Sequence, residues 1–304
     1  MTQLHFLAIL GPTASGKSGL AMELARRMGG EIICCDSQQV YVGMDVGTAK
    51  PTPAERREIP HHVLDVARPD EAFHAARWAT LARAALHDVA TRGRVPIVVG
   101  GTGLYYRALK TGFFAAPPPD AAIRARHRAE ADALGVEALH DRLAAVDASA
   151  AAGIGRRDLM RISRALEIYE QTGVPITTLR REAAPPDDLA PRAVVLDPPL
   201  PELRARIEAR ARQMFVEDGF VDEVRGLRAA GYGPSLKPLQ ALGYQQVGAL
   251  LDGACTEAEA LAATIAATVS YARRQRTWFR KEAAMARLPA APPADALVAE
   301  LNAS

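Results

Sequence analysis

The sequence predicts an α/β protein: a P-loop NTPase-like parallel sheet core with helices on both faces, a helical inserted domain and a helical C-terminal region. A glycine-rich loop at 11–18 fits the phosphate-binding pattern G-x-x-x-x-G-K-[ST]. It lies between an apolar run at 5–10, typical of a buried strand, and a run at 19–28 with helical spacing. Further apolar runs at 31–36 and 94–99 have the length and composition of buried parallel strands.

The glycine-rich loop is predicted to bind a phosphorylated ligand. Backbone N–H groups at the start of a helix converge on one point, and the helix dipole favours negative charge there. Lys17 would add a cation against the terminal phosphates, and the Ser18 hydroxyl would be a ligand for Mg²⁺. The alternative is a chance match in a chain rich in Ala and Gly, which the flanking strand and helix disfavour. The predicted phosphate-binding residues are Gly11, Pro12, Thr13, Ala14, Ser15, Gly16, Lys17 and Ser18.

Charge and cysteine content narrow the class of protein. The net charge is +2, so no overall basic field indicates a nucleic-acid partner, and only local clusters could do so. Cys34, Cys35 and Cys255 form no paired framework and no C-x-x-C motif, which favours a reducing compartment and argues against a zinc site. No apolar run approaches the length of a membrane span. We therefore expect a soluble, cytoplasmic protein with no membrane partner.

Two polar residues come at the ends of predicted strands. Asp36 ends the run 31–36, and Thr102 follows the run 94–99 in a second glycine turn that opens a helix. Ligands of open α/β sheets bind outside the carboxyl ends of the strands, so both residues should lie beside Lys17. The alternatives are a helix N-cap for Asp36 and a merely tight turn around Thr102. For Asp36 we favour a catalytic or metal-binding role, because carboxylates at strand ends beside a phosphate loop often have such roles. A merely tight turn would explain the glycines but not Thr102.

A short strand at 61–66 and a helix at 73–91 precede the second glycine turn. His61 and His62 could bind a metal, but adjacent side chains of an extended segment point to opposite faces. One structural and one solvent-facing histidine is the favoured interpretation.

The pattern is helical from 121 to about 180, between proline-rich segments at 115–120 and 183–188. A helical segment with strands on both sides in sequence indicates an inserted domain. Its predicted helices are 121–134, 135–144 and 158–172, and strand character resumes at 193–197. On a helix Arg157, Arg161 and Arg164 would share one face, which concentrates positive charge. We place the core domain at 1–118 and 190–288, the inserted domain at 119–189, and a tail that can fray at 289–304.

The C-terminal region is predicted to be helical at 202–217, at 219–230, from 240 onward and at 256–282. Five cations lie among the nine residues 273–281, interleaved with Trp278 and Phe279. Cations and aromatic rings together suit phosphate contact and base stacking, so we predict a nucleic-acid surface. A solvated charged helix face is the alternative.

Eight motifs in order, taken together, resemble the bacterial tRNA dimethylallyltransferase (tRNA isopentenyltransferase) family, over most of the chain. Two departures are visible: Asp158-Leu159-Met160-Arg161 replaces the more usual Asp-Pro-Gln-Arg, and the zinc finger of the eukaryotic type is missing. The motifs are the glycine-rich loop, Asp-Ser-Gln-Gln-Val-Tyr at 36–41, Gly-Thr-Ala-Lys-Pro at 47–51, Pro-His-His-Val-Leu-Asp at 60–65, Gly-Gly-Thr-Gly-Leu-Tyr at 100–105, Arg161 to Glu167, Leu-Gly-Tyr at 242–244 and the basic run 273–280.

The resemblance implies a reaction. Members of the family transfer a dimethylallyl group from dimethylallyl pyrophosphate to N6 of adenosine 37, beside the anticodon of tRNAs with an A36-A37-A38 loop. The glycine-rich loop would then hold the pyrophosphate rather than ATP, with Mg²⁺ at Ser18. Lys17, Thr102 and Arg210 would neutralise the leaving pyrophosphate, and Asp36 would bind the N6 amino group as general base. The rival interpretations are a P-loop small-molecule kinase and a non-catalytic RNA-binding module.

The resemblance also implies the tRNA-binding surface, which includes the inserted domain and would receive the anticodon stem-loop. A monomer is the default expectation. The implied tRNA-binding residues are Asp36, Ser37, Gln38, Gln39, Thr102, Arg124, Met160, Arg161, Ile162, Ser163, Arg164, Gln240, Ala241, Leu242, Gly243, Tyr244, Gln245, Arg273, Arg274, Gln275, Arg276, Thr277, Trp278, Phe279 and Arg280.

Overall fold

The computed structural model describes residues 3–112, 116–182, 188–282 and 286–297. Its centre is a six-stranded sheet in the order β3-β2-β4-β1-β5-β6, in which every pair of neighbours is parallel. The predicted fold class is therefore confirmed. The strands are β1 (Leu4–Leu10), β2 (Gly30–Cys35), β3 (His61–His62), β4 (Val95–Gly100), β5 (Leu189–Leu196) and β6 (Ala286–Leu288).

Helices cover both faces of the sheet, because successive side chains of a strand point to opposite sides. Phe6 and Leu10 of β1 pack into one core with the helix that contains Trp78, whereas Ile9 packs into a second core with Leu24. Within the described residues no helix has both the length and the apolar character needed to cross a bilayer. The helices are α1 (Lys17–Met28), α2 (Pro53–Glu58), α3 (Ala75–Thr91), α4 (Gly103–Thr111), α5 (Ala121–Leu134), α6 (Val136–Val146), α7 (Ala148–Gly153), α8 (Leu159–Thr172), α9 (Ile176–Glu182), α10 (Leu200–Val216), α11 (Phe220–Ala229), α12 (Tyr244–Leu251) and α13 (Glu257–Arg280).

The chain forms two compact units, one of residues 1–109 with 187–304 and one of residues 110–186. The first holds the sheet, and the second is helical and has its own core around Leu143, Ile162 and Leu166. Helix α5 has the predicted bounds, and α7 and α9 are additional to the three helices predicted there. Of the predicted proline-rich segments, residues 115 and 183–187 lie outside the described residues.

The strand predicted at 61–66 is wrong beyond its first two residues. Val63 and Asp65 have φ angles of 61° and 53°, in the left-handed region that ends an extended strand. Helix α2 was not predicted, although its start has a clear signature. Thr52 accepts a hydrogen bond from the Glu55 N–H, the Glu55 carboxylate accepts one from the Thr52 N–H, and Pro53 occupies the first helical position.

The prediction of a frayed tail is wrong for residues 289–297. Ala294 and Leu297 are buried in the same core as Leu24 of α1. Asp295 forms an ion pair with Arg27, also of α1. Burial of apolar side chains compensates for the entropy of ordering such a segment, which its Ala- and Pro-rich composition alone did not indicate. Residues 298–304 lie outside the described residues.

The predicted face shared by three arginines is also wrong. Asp158 accepts a hydrogen bond from the Arg161 N–H and is the N-cap of α8, so Arg157 precedes the helix. Arg157 instead forms an ion pair with Glu137, and Arg161 pairs with Asp158. The first N–H groups of a helix have no intrahelical acceptor, and the Asp158 side chain supplies one for α8. The helix therefore begins after Arg157.

Glu167 is the central buried charge of the second unit. Its carboxylate accepts hydrogen bonds from the Asp120 N–H and from the guanidinium groups of Arg124 and Arg164. Burial raises the pKa of Glu167, but the hydrogen bonds from Arg164, the Asp120 N–H and Arg124 together outweigh it. The pKa therefore lies below the ordinary 4.5.

We expect Glu167→Gln to lower the free energy of unfolding at pH 7 by about 2 kcal/mol, because it removes the charge that three donors share. Glu167→Gln can be compared with Glu182→Gln, at an exposed position of α9, in urea unfolding. A carboxylate with a lowered pKa stabilises the fold above its ordinary pKa and stops doing so as the pH falls through the lowered value. The difference between wild type and Glu167→Gln should therefore shrink below pH 4.5, and an equal difference at all pH values would contradict the role.

Candidate functional site

A cavity of about 580 Å³ opens at the carboxyl edge of the sheet, within the first unit. The glycine-rich loop and the end of β2 form part of its wall, as expected for an open α/β sheet. The remaining wall comes from the loop 47–51, from 240–244 and from the helices α10 and α13. The predicted site residues that line it are Thr13, Lys17, Ser18, Asp36, Ser37, Gln38, Gln39, Arg210, Gln240, Ala241, Leu242, Gly243, Tyr244, Arg274 and Gln275.

The glycine-rich loop has the backbone geometry of an anion site. Gly11, Ala14 and Gly16 have positive φ angles of 151°, 62° and 91°, and Gly16 is the residue before α1. A Cβ atom on Gly11 would lie 2.5 Å from the carbonyl oxygen of Leu196, so no other residue fits there. Helix α1 begins directly after this turn, so its first N–H groups lack intrahelical acceptors and suit an anion.

Two cations that line the cavity, Lys17 and Arg210, have no counter-ion among the described residues. Lys17 Nζ donates to the Pro12 carbonyl oxygen at 3.1 Å, and the Arg210 guanidinium donates to the Thr13 hydroxyl. Neither side chain forms an ion pair within the described residues. The negative charge of Asp36 acts on both only through space, and it raises the pKa of each. Burial, followed by the charge of Arg210, lowers the pKa of Lys17 to about 8. Burial also lowers the pKa of Arg210.

Asp36 caps a turn rather than a helix. Its Oδ1 atom accepts from the N–H groups of Gln38 and Gln39, at 2.8 and 3.3 Å, and the next helix does not begin until Pro53. The helix N-cap considered from the sequence is therefore wrong. Within the described residues the second carboxylate oxygen, Oδ2, has no hydrogen bond, and Asp36 lines the cavity. One oxygen holds the turn and the other is left to act on a ligand.

Thr102 has a positioning role that its place in a glycine turn did not reveal. Its N–H donates to the Cys35 carbonyl oxygen at 3.2 Å, and its hydroxyl oxygen accepts from the Ser37 N–H at 3.0 Å. The hydroxyl also forms a hydrogen bond with the phenol of Tyr271. Thr102 thus joins the residues around Asp36 to α13, and the alternative of a merely tight turn is wrong. Thr102 is not itself among the residues that line the cavity.

Gln275 holds the two glycine turns together. Its Oε1 atom accepts from the Thr13 N–H and its Nε2 atom donates to the Gly101 carbonyl oxygen, both at 2.9 Å. The side chain is 6% exposed. Both ends of the amide hold backbone groups, so the residue positions the two turns. Gln275 lies on the same face of α13 as the buried Ala272 and Phe279. This helical spacing was the feature of the sequence that could have indicated a buried glutamine.

The prediction that Phe279 stacks on a base is wrong, because its ring is 1% exposed and packs in the core. Trp278 is covered on one side by the Arg107 guanidinium, 4.2 Å from the ring centroid. Its indole also lies so close to Gly103 that a Cβ there would be 1.9 Å from Nε1. Phe279 and Trp278 therefore lie on faces of α13 that pack against the protein, whereas most of the cations face the solvent. Of these cations Arg273, Arg274, Arg280 and Lys281 are exposed, and Arg276 is paired with Asp197.

The segment 160–164 is only partly available to a partner. Met160 is 83% exposed, whereas Ile162 and Ser163 are buried in the core of the second unit. The Ser163 hydroxyl is bonded to the ring of His127. The predicted tRNA contacts at Ile162 and Ser163 are therefore wrong. Arg124 and Arg164, predicted for the same surface, hold the buried Glu167 instead of presenting free charges.

Three residues that sequence reasoning missed complete the site. Tyr271 lines the cavity, and burial is the main reason that its phenol has a raised pKa. Glu223 and Lys50 hold the loop beside Gly47. Glu223 belongs to none of the motifs described above, and Lys50 belongs to the motif at 47–51, which gave no indication of this role. The sequence contained no spacing that could connect Glu223 or Tyr271 with the glycine-rich loop.

A parallel sheet with a glycine-rich loop at its carboxyl edge, beside a cavity lined by Lys17 and Arg210, defines a P-loop-like fold of the kind that suits a phosphorylated ligand. The sequence profile of the family described as "IPP transferase" matches residues 39–282. A tRNA dimethylallyltransferase of Anaeromyxobacter sp. (strain Fw109-5) is 53% identical over 292 residues, which are 96% of either chain. The chain belongs to the IPP transferase family and is a transferase.

Solved structures agree with this membership. The full-length tRNA isopentenylpyrophosphate transferase of Bacillus halodurans superposes with a TM-score of 0.69 at 36% identity, covering 99% of this chain and 95% of that one. A eukaryotic dimethylallyltransferase acting on tRNA superposes with a TM-score of 0.71 at 26% identity, over 90% of this chain and 69% of that one. The family named from the eight motifs is therefore confirmed.

We expect the affinity for an alkyl diphosphate to fall by about tenfold or more as the pH rises from 7 to 9.5, because Lys17 loses its proton near pH 8. Any remaining ionisation of the ester's terminal phosphate in this range adds negative charge and would strengthen binding, so a loss of affinity reports the protein. Isothermal titration across the range measures it. Lys17→Arg should bind with much less dependence on pH, and Lys281→Met, at an exposed position, should behave as wild type. An affinity that is constant in the wild type would exclude the role of Lys17.

Proposed function

We propose that the chain transfers the dimethylallyl group of dimethylallyl pyrophosphate to N6 of adenosine 37 in tRNAs with an A36-A37-A38 anticodon loop. The observation that carries the proposal is one cavity with two unpaired cations, Lys17 and Arg210, and a carboxylate, Asp36, that keeps one free oxygen. A diphosphate ester satisfies the cations, and an amino group satisfies the carboxylate. The names of the relatives support this choice of substrates.

The first half of the reaction breaks the bond between the allylic carbon and the pyrophosphate oxygen. Negative charge grows on the leaving group, and the loop N–H groups, Lys17 and Arg210 offset it in the transition state. Groups that are already desolvated and fixed by hydrogen bonds stabilise this charge without having to reorganise. The glycine-rich loop is therefore a site for a departing pyrophosphate.

The loop also fits Mg²⁺. The Ser18 hydroxyl lines the cavity in the first turn of α1, and a hydroxyl with substrate phosphate oxygens and water is a common donor set for this ion. The described residues contain no cluster of three or more His, Cys, Asp or Glu, so the remaining ligands would come from the pyrophosphate. When bound, Mg²⁺ would neutralise charge on the leaving group.

The second half forms the bond between the allylic carbon and N6. The N6 lone pair of adenine is delocalised, so the base must be positioned against the carbon and must lose a proton as the bond forms. Asp36 Oδ2 takes this proton while Oδ1 keeps its bonds to Gln38 and Gln39. The N6–carbon bond replaces the carbon–oxygen bond, the proton goes to the carboxylate and pyrophosphate leaves.

Adenosine 37 must leave its stack to reach the cavity, which is least costly in a single-stranded loop. The exposed cations Arg273 and Arg274 of α13, which have no ion pair among the described residues, would contact the phosphates of the anticodon stem-loop. The exposed Arg161 of the helical unit would exchange its contact with Asp158 for a phosphate. We further propose that the helical unit is a tRNA-binding domain and that the enzyme is a cytoplasmic monomer.

Titration separates this function from that of a small-molecule kinase. Dimethylallyl pyrophosphate and ATP are titrated separately into the purified protein in the presence of Mg²⁺. Micromolar binding of ATP with none of the prenyl ester would overturn the proposal in favour of the kinase.

A non-catalytic RNA-binding module is tested by incubating the protein with tRNA and dimethylallyl pyrophosphate, followed by mass spectrometry of the nucleosides. Absence of prenylated adenosine would favour that module.

We expect Asp36→Asn to lower kcat by about 10²- to 10⁴-fold with a smaller change in tRNA affinity, because asparagine removes the base. Asparagine keeps an oxygen that accepts from Gln38 and Gln39, so the turn should survive, whereas Asp36→Ala would lose both functions. Single-turnover kinetics and a tRNA-binding assay give the two quantities. Turnover of Asp36→Asn within tenfold of wild type would exclude Asp36 as the general base.

A further inference from the structure

Glu223 binds four donors from two other segments of the chain. It lies in the first turn of α11. Its Oε2 atom accepts from the N–H groups of Asp45 and Val46, at 2.7 and 2.6 Å. Its Oε1 atom accepts from the Gly47 N–H at 3.1 Å and from the Tyr244 hydroxyl at 2.7 Å. One carboxylate thus joins a loop, a helix and the start of α12.

Three consecutive N–H groups that converge on one carboxylate form an anion-binding nest of the kind that elsewhere holds phosphate. Hydrogen bonds to an ionised acceptor are roughly twice as strong as neutral ones. The loop 45–50 contains no helix or strand, so its conformation depends on such contacts. Glu223 therefore supplies a large part of what fixes the loop on this side.

A second charge holds the opposite end of the same loop. The buried Lys50 ammonium donates to the carboxylates of Asp45 and Asp65 and to the carbonyl oxygen of Tyr41. Arg56 also pairs with Asp65, so two cations and two carboxylates form one cluster of ion pairs. The loop is thus bound at its start by an anion and at its end by a cation.

The loop that Glu223 holds is a wall of the cavity. Gly47 lines the cavity, and a Cβ atom there would lie 2.2 Å from the ring of Phe220 and 2.7 Å from that of Tyr244. The loop also reaches the catalytic carboxylate. The Gln39 amide donates to the carbonyl oxygens of Thr48 and Ala49, at 3.1 Å each. The Gln39 N–H is one of the two that Asp36 accepts.

We propose that Glu223 is a positioning residue for the acceptor: it fixes the Gly47 wall and, through Gln39, the turn at Asp36, against which adenosine 37 is placed. This rests on the proposed function. The pyrophosphate is held by other elements, namely the glycine-rich loop and Arg210 of α10, which make no contact with Glu223 among the hydrogen bonds of the described residues. Loss of the Glu223 charge should therefore weaken use of the acceptor and spare binding of the donor.

The experiment is steady-state kinetics of Glu223→Gln with both substrates varied. Glutamine has the same shape, but its amide nitrogen would face N–H donors. We expect the KM for tRNA to rise about tenfold, the fold-change that corresponds to one charge-assisted hydrogen bond, and the KM for dimethylallyl pyrophosphate to stay within about twofold. Asp222→Asn is the matched control. It removes the same charge one residue earlier on α11, where the exposed carboxylate pairs only with Arg225, and both KM values should remain those of wild type.

Tyr244→Phe is a second, milder variant that removes one of the four donors, and it keeps the test valid should Glu223→Gln fail to fold. We expect a rise of about threefold in the KM for tRNA, and the double variant should be little worse than Glu223→Gln, since the two groups act through one contact. Equal increases of both KM values, or a tRNA KM unchanged in both variants, would exclude the positioning role. Absence of transfer by the wild type would instead refute the proposed function, so the two failures can be told apart.

Discussion

The structure depends on keeping two partly buried positive charges, Lys17 and Arg210, without a counter-ion among the described residues. Burial of an unpaired charge is costly, and the lowered pKa of Lys17 is the visible sign of that cost. In the proposed function a bound diphosphate would relieve it, because two negative phosphates would act as the counter-ion. The site is therefore less stable when empty and well suited to stabilise charge that grows on a leaving group.

An arrangement of this kind requires loops that do not collapse onto the cations. The loops are held by hydrogen-bonded polar side chains: Gln275 between the two glycine turns, Thr102 beside Asp36, and Glu223 and Lys50 around Gly47. Gln275 and Glu223 hydrogen-bond mainly to backbone atoms, and Lys50 donates to two carboxylates and one carbonyl oxygen. Fixed backbone positions are what an active site needs, since a misplacement of one ångström costs a large part of the rate.

The arginines of the chain have two different roles, and only the tertiary structure shows which residue has which role. Arg124 and Arg164 hold a buried carboxylate, and Arg276 pairs with Asp197. Arg273 and Arg274 of α13 are exposed and form no ion pair within the described residues. A cation that is already paired contributes little to a phosphate contact, so the surface that can bind tRNA is smaller than the count of arginines suggests.

The sequence by itself determined the sheet, the phosphate loop, the position of Asp36 at a strand end and the family. These features are local, because a loop motif and its flanking strand and helix lie within about thirty residues. It could not determine that Phe279 is buried, that Gln275 bridges two turns or that Glu223 meets the backbone of 45–47. These contacts join residues more than 170 positions apart for Glu223 and Gln275. They arise only when the helices pack, since burial and hydrogen-bond partners are properties of the packed structure and not of the spacing along the chain.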